Sequence, residues 1–307
     1  MVKPPREDLE KHYAYYSPDS DFSAYARLLQ SKWRQKHGYP KGKLGNYLEL
    51  DFAKSNKTNY LTDKIKNLVQ YEVYAQKNEG KFISEPRIWD NLLSSQPLCF
   101  NLFGELHFDL KLATKYFSRL FPTRVKQVTA VKFEYSPGRG HINYTGDHSA
   151  FDVFIEYNSH DGKRGFIGIE VKYAEDLKDV KKTTEATFLK HRDDYLRIAS
   201  ESKLFKPNST EVLRYAPLQQ IWRDHLLSIT TLKDYGEGCF VFLFPSQNKE
   251  CQNAVAGYQQ QLNDGKEEIT GFLPRFLEDF INTLHALHPK EWASELKERY
   301  LGESYKA

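Results

Sequence analysis

Asp152, Glu170 and Lys172 have the residue types and the spacing of a hydrolytic site. Side chains alternate faces along a strand. Across residues 165–173, Glu170 and Lys172 therefore share a face with Phe166 and Gly168, while Ile167, Ile169 and Val171 point the other way. Across 150–157, Asp152, Phe154 and Glu156 share one face, opposite Phe151, Val153 and Ile155. The Asn-, Asp- and Gly-containing stretch 158–162 between them is a hairpin turn signal, and closing that hairpin brings Asp152 beside Glu170. Two adjacent carboxylates repel unless a cation or a proton lies between them. Their hard oxygens suit Mg²⁺ or Mn²⁺, which keep waters and accept substrate phosphate as a ligand. Such a site activates a water and polarises a phosphoryl oxygen. A lysine two residues from a ligand positions that water or steadies charge in the transition state. The set is chemically sufficient for phosphodiester hydrolysis.

The surrounding elements must hold these groups in place. Residues 125–135 are rich in β-branched and aromatic side chains and end at a Pro/Gly turn over 136–140. The hairpin follows, then a charged helical stretch over 185–201. Next comes an amphipathic helix opened by Pro217, with Leu218, Ile221, Trp222, Leu226 and Ile229 on one face. The apolar run 239–244, ended by Pro245, has the pattern of a fully buried strand. Upstream, 87–121 reads as mostly helical, with interruptions expected near Pro97 and Gly104. Downstream, Phe272, Leu273, Phe276, Leu277, Phe280, Ile281 and Leu284 are spaced as the core stripe of one helix. The expected class is α/β, a mixed sheet flanked by helices. Residues 87–245 form the expected core, with helical extensions over 1–86 and 246–307 packed on it as one compact domain.

The segments Ala-Phe-Asp-Val-Phe-Ile at 150–155 and Gly-Ile-Glu-Val-Lys at 168–172, in this element order, resemble the PD-(D/E)xK nuclease superfamily. Phe151 stands where the family's name has proline. The resemblance implies a restriction-endonuclease-like αβββαβ core and an Mg²⁺-dependent deoxyribonuclease in which Mn²⁺ substitutes. Its ligands would be Asp152, Glu170 and the main-chain carbonyl of Val171, its catalytic lysine Lys172, and its product a 5′-phosphate. Restriction, defence or DNA repair is the setting the family suggests. A further acidic ligand is often supplied by the preceding helix: Glu105 is the first candidate, with Glu85 and, on the first strand, Glu134 behind it. A helical residue after the third strand is used in some members, and Gln219 is the candidate here.

DNA is then the expected partner. Arg139 and His141, in the polar loop 136–148, are candidates for phosphate contact, with Asp147 or His148 near the metal. Lys178, Lys181, Lys182, Arg192 and Arg197 follow the third strand and could line a groove, as could the basic turn 32–43 with Trp33 and Tyr39. A formal net charge of +3 calls for a local basic patch rather than a field over the whole molecule. His285 and His288 lack a third ligand of obvious spacing and read as surface residues. The three cysteines, the charged N-terminus without an apolar core and the lack of any long apolar run lead to a cytoplasmic expectation. Self-association is left open. Two rivals stand beside this reading: a nucleic-acid-binding or scaffold protein that kept the fold without turnover, and a glycoside hydrolase using Asp152 and Glu170, which leaves Lys172 without a role.

Overall fold

The computed structural model describes residues 1–174, 177 and 181–302, except for the side chains of 77, 78 and 181–184. Five strands lie side by side in chain order: β1 (Val125–Tyr135), β2 (Phe151–Ser159), β3 (Arg164–Val171), β4 (Glu237–Phe244) and β5 (Phe272–Phe276). The first three form an antiparallel meander, and β4 and β5 each add in parallel. The longer helices are α1 (Asp21–Lys36), α2 (Asp63–Glu79), α3 (Ser95–Phe108), α4 (Leu110–Leu120), α5 (Lys181–Ser202), α6 (Leu218–Thr231), α7 (Lys249–Gln259), α8 (Leu277–Leu287) and α9 (Glu291–Leu301). Parallel neighbours need a crossover. Here α5 and α6 connect β3 to β4, and α7 lies between β4 and β5.

Alternation along the strands makes two cores. Val153, Ile155, Ile167, Ile169, Val241 and Leu243 face a layer that includes Ile65, Leu102, Phe117, Ile281 and Leu296. Phe154, Phe166, Phe240, Phe242 and Phe272 face the other way, under Phe188, Tyr195, Trp222, Leu226 and Tyr258 of α5, α6 and α7. Both faces of β3 are thus covered, where the sequence suggested one inward face. Burial of each such side chain stabilises the fold by about 1.5–3 kcal/mol. Helices from both ends of the chain contribute to the first core, from Phe22 to Leu301.

Three expectations are corrected. The stripe beginning at Phe272 is not one helix: 272–276 is the edge strand β5, and α8 starts at Leu277. Phe272 joins one core and Leu273 the other, as a period of two requires, and an edge strand tolerates Pro274. Pro97 and Gly104 do not interrupt α3. Pro97 lies in the first turn, where backbone N–H groups have no intrahelical acceptor. Gly104 lets α2 approach, since a Cβ there would meet Ile65 Cγ1 at 2.9 Å. The break comes at Asp109, whose carboxylate caps α4 by accepting from Leu112 N at 2.9 Å. Finally, the Phe151 ring stacks on Phe154 and lies over Gly168, so it joins the phenylalanine core rather than Val153 and Ile155.

Candidate active site

The phenylalanine layer gives way to acids at one end of the sheet. β2 and β3 pair Val153 with Ile169 and Phe154 with Gly168, so the next step sets Asp152 across from Glu170. β1 and β2 pair Phe133 with Val153 and Tyr135 with Phe151, which sets Glu134 across from Asp152. Three carboxylates thus form a row on three neighbouring strands, and adjacent strands of a sheet lie about 4.8 Å apart. Glu134 lies in the left-handed region at φ +46, a backbone state that costs a non-glycine residue roughly 1–2 kcal/mol. Its carbonyl accepts from Arg139 Nη2 at 2.8 Å, and its carboxylate from Gln96 Nε2 at 2.6 Å.

Lys172 Nζ donates to Glu170 Oε1 at 2.6 Å and to Gln220 Oε1 at 2.8 Å, while Gln220 Nε2 donates to the same Glu170 oxygen at 2.5 Å. Asp152 Oδ2 accepts from Val171 N at 2.8 Å. The N–H and C=O of one strand residue point to the same neighbouring strand, so the Val171 carbonyl faces the Asp152 side as well. Asp224, one helical turn beyond Gln220 on α6, is buried and also lines the cleft. Its Oδ2 has no hydrogen-bond partner among the described residues.

Crowding shows in the acidities. Burial pushes the Glu134 carboxyl up to about 7, with the Gln96 bond opposing and the charge of Glu170 adding. Burial, then the charges of Glu170 and Glu134, raise Asp152 well above the usual carboxylate range, and burial with Glu170 does the same for Asp224. Such a cluster is stable as anions only beside a cation. Among the described residues, no group of three or more His, Cys, Asp and Glu is placed to enclose a metal ion. Asp152, Glu170 and the Val171 carbonyl nevertheless offer the partial, hard-oxygen ligation that Mg²⁺ completes with waters and phosphate. The donor set fits that ion. The site opens into a cleft of about 640 Å³, whose walls include Arg87, Gln96, Arg139, His148 and Arg223.

A family model described as the PD-(D/E)XK nuclease superfamily matches residues 17–302. The chain belongs to that superfamily. The match runs past 87–245 and takes in the helices on both sides of the sheet. No curated protein and no solved structure matches the chain.

Other superfamily candidates fall in different places. Glu105 is outside the cleft, accepting from Thr62 Oγ1 at 2.6 Å and Lys64 Nζ at 3.3 Å. Glu85 accepts from Trp89 Nε1 at 2.8 Å in a separate pocket. Of the three acids considered as a further ligand, Glu134 is the one brought to the site. Gln219 points away, donating to Arg214 O at 2.9 Å, and its neighbour Gln220 takes the place expected for it. Sequence reasoning missed Gln220 and Asp224; their four-residue spacing on one amphipathic helix was the available signal.

Arg139 and His148 line the cleft, whereas His141 is exposed and outside it, its ring edge-on to Tyr144. Asp147 is an anchor for the loop. It accepts from Thr145 Oγ1, Ser149 N and Oγ, Tyr195 OH and Arg223 Nε. Burial alone would raise its carboxyl, but Arg223 and these bonds outweigh it and hold it down to about 2. Lys178 lies outside the described residues. The basic stretch 32–43 is not all turn: residues 32–36 are the end of α1, where the buried Trp33 indole donates to Glu295 Oε1 at 2.6 Å and Arg34 donates to the carbonyls of Gly45 and Tyr39.

Proposed function

We propose that this protein is a divalent-metal-dependent deoxyribonuclease, with Asp152, Glu170 and the Val171 carbonyl as ligands to Mg²⁺ and Lys172 as its catalytic ammonium. One observation carries the reading: the Lys172 ammonium sits 2.6 Å from Glu170 Oε1, in the same cleft as Asp152. Bound there, Mg²⁺ or Mn²⁺ would polarise a phosphoryl oxygen and make a water acidic enough to attack. Lys172, braced by Gln220, places its ammonium beside the reacting phosphate, where negative charge builds in the transition state. Arg139 and His148 supply phosphate contacts along the wall. The oxygen of water bonds to phosphorus as the P–O3′ bond breaks. The water gives up one proton and the departing 3′ oxygen gains one, which leaves a 5′-phosphate and a 3′-hydroxyl.

DNA is the substrate that the family resemblance favours. The buried thiols Cys99, Cys239 and Cys251 fit a reducing compartment such as the cytoplasm. No helix among the described residues is long and apolar enough to cross a membrane. The test is incubation of plasmid and labelled oligonucleotides with Mg²⁺, with Mn²⁺ and with EDTA. Cleavage that EDTA stops and that Lys172→Ala loses is the expected result. Binding without cleavage under either ion would replace the proposal with the non-catalytic reading.

A further inference from the structure

Phe82 departs from the rest of the cleft wall. It is 73% exposed, whereas phenylalanine is ordinarily buried. Its backbone is nonetheless firmly held. The Phe82 carbonyl accepts from Gln96 Nε2 at 2.9 Å, and Gln96 Oε1 accepts from Ser84 N at 3.1 Å. The same Gln96 amide donates to Glu134, so one side chain ties the Phe82 segment to the acid row. On either side of Phe82, Lys81 is paired with Glu72 at 2.6 Å and Glu79 at 2.8 Å, and Ile83 is buried in the core. An aromatic ring therefore stands out from a hydrogen-bonded base in the cleft that contains Asp152 and Glu170.

Arg87 lines the same cleft, and its Nε is buried with no hydrogen-bond partner among the described residues. Arg87 is partly exposed on that wall, and the fork of N–H donors on a guanidinium suits a phosphate. A presented π face and a guanidinium in one cleft match the two halves of a nucleotide, the base for stacking and the phosphate for charge-assisted hydrogen bonds. We propose that Phe82 and Arg87 form a subsite for one unpaired nucleotide next to the scissile phosphate, so the preferred substrate is single-stranded or locally opened nucleic acid. Inside a continuous duplex both faces of a base are covered by its neighbours, and the ring finds a partner only where the stack is open. The subsite rests on the nuclease reading of the cleft.

The test uses the full chain and oligonucleotides with 2-aminopurine placed at successive positions, whose fluorescence is quenched on stacking. In EDTA, the wild-type protein should quench one or two positions of a single strand. Phe82→Ala should lose that quench and about tenfold in affinity, while Phe82→Trp should keep both. In Mg²⁺, the wild-type preference for single strand over blunt duplex should shrink about tenfold in Phe82→Ala. Equal quenching and an unchanged preference in Phe82→Ala would overturn the subsite. Cleavage with no Phe82 effect defeats the subsite alone, whereas Phe82-dependent quenching without cleavage in Mg²⁺ or Mn²⁺ defeats the nuclease reading alone.

Discussion

Gln220 donates to the Glu170 oxygen that receives the Lys172 ammonium, and its own carbonyl accepts from that ammonium, closing a ring of bonds at 2.5, 2.6 and 2.8 Å. A lysine ammonium is a rotatable point charge on a flexible stem. The ring, an ion pair to Glu170 and a bond to Gln220, fixes where the ammonium sits. Hydrogen bonds to charged groups contribute about 1.5–3 kcal/mol each. Gln220→Met, which keeps the volume and removes the bonds, should lower kcat/KM by roughly 10- to 100-fold and lower Tm as well. Gln219→Met should lower Tm and leave kcat/KM near the parent value. Steady-state kinetics and thermal melts check both, and an unaffected Gln220→Met enzyme would contradict the bracing role.

Much of this site could be read in the chain because strand alternation is local. Asp152 and Glu170 fall on one face by counting residues, and a short turn leaves little choice of hairpin partner. Glu134 was harder to select, because its position depends on the β1–β2 register. That register shifts between Val125 and Gln127 and again between Val128 and Ala130. Gln220 was missed by one residue because the apolar stripe of α6 gives its buried face, while the choice of polar residue at the edge depends on tertiary packing. β5 was hidden because a five-residue strand leading into a helix produces apolar spacings that also fit a longer helix. The stretch 32–43 looked like a basic, aromatic turn, yet Trp33 and Arg34 belong to α1 and bond to partners up to 262 residues away in sequence.

Glu134 and Glu105 separate two placements of a further acid. Glu134→Gln removes a carboxylate from the row beside Asp152, and metal-dependent cleavage should fall about 10- to 100-fold. Glu105→Gln alters only a peripheral contact with Thr62 and Lys64, and cleavage should stay within about twofold. The opposite ranking, read from initial rates at saturating Mg²⁺, would favour Glu105.

Asp147 joins the 136–148 loop to α5 and α6 through Tyr195 and Arg223. Asp147→Ala leaves a half-buried guanidinium and several hydroxyls without their acceptor. The expected loss is about 2–3 kcal/mol of stability by urea denaturation. KM for DNA should rise as well, because Arg139 and His148 of this loop line the cleft. Unchanged stability would show that the loop is held by other contacts.

His225 gives the fold an acid-sensitive point. Its Nε2 donates to Thr270 O and its Nδ1 accepts from Tyr258 OH, each at 2.7 Å, which fixes a neutral ring. Burial lowers its pKa to about 4, against the opposing bond to Thr270. A depressed histidine contributes stability that is complete above its unfolded pKa of about 6.5. That stability is lost as pH falls towards 4, because the unfolded chain takes up the proton first. The stability difference between wild type and His225→Phe should therefore shrink by about 3 kcal/mol between pH 7 and pH 4. A constant difference over that range would contradict the assignment.

The central claim is that Asp152 and Glu170 share a divalent ion next to Lys172. Diffraction from a crystal soaked in Mn²⁺, collected for anomalous signal, tests it most directly. The account predicts a peak between these two carboxylates and against the Val171 carbonyl. A well-diffracting soaked crystal with no peak there, or with Mn²⁺ bound only at other acids, would contradict it.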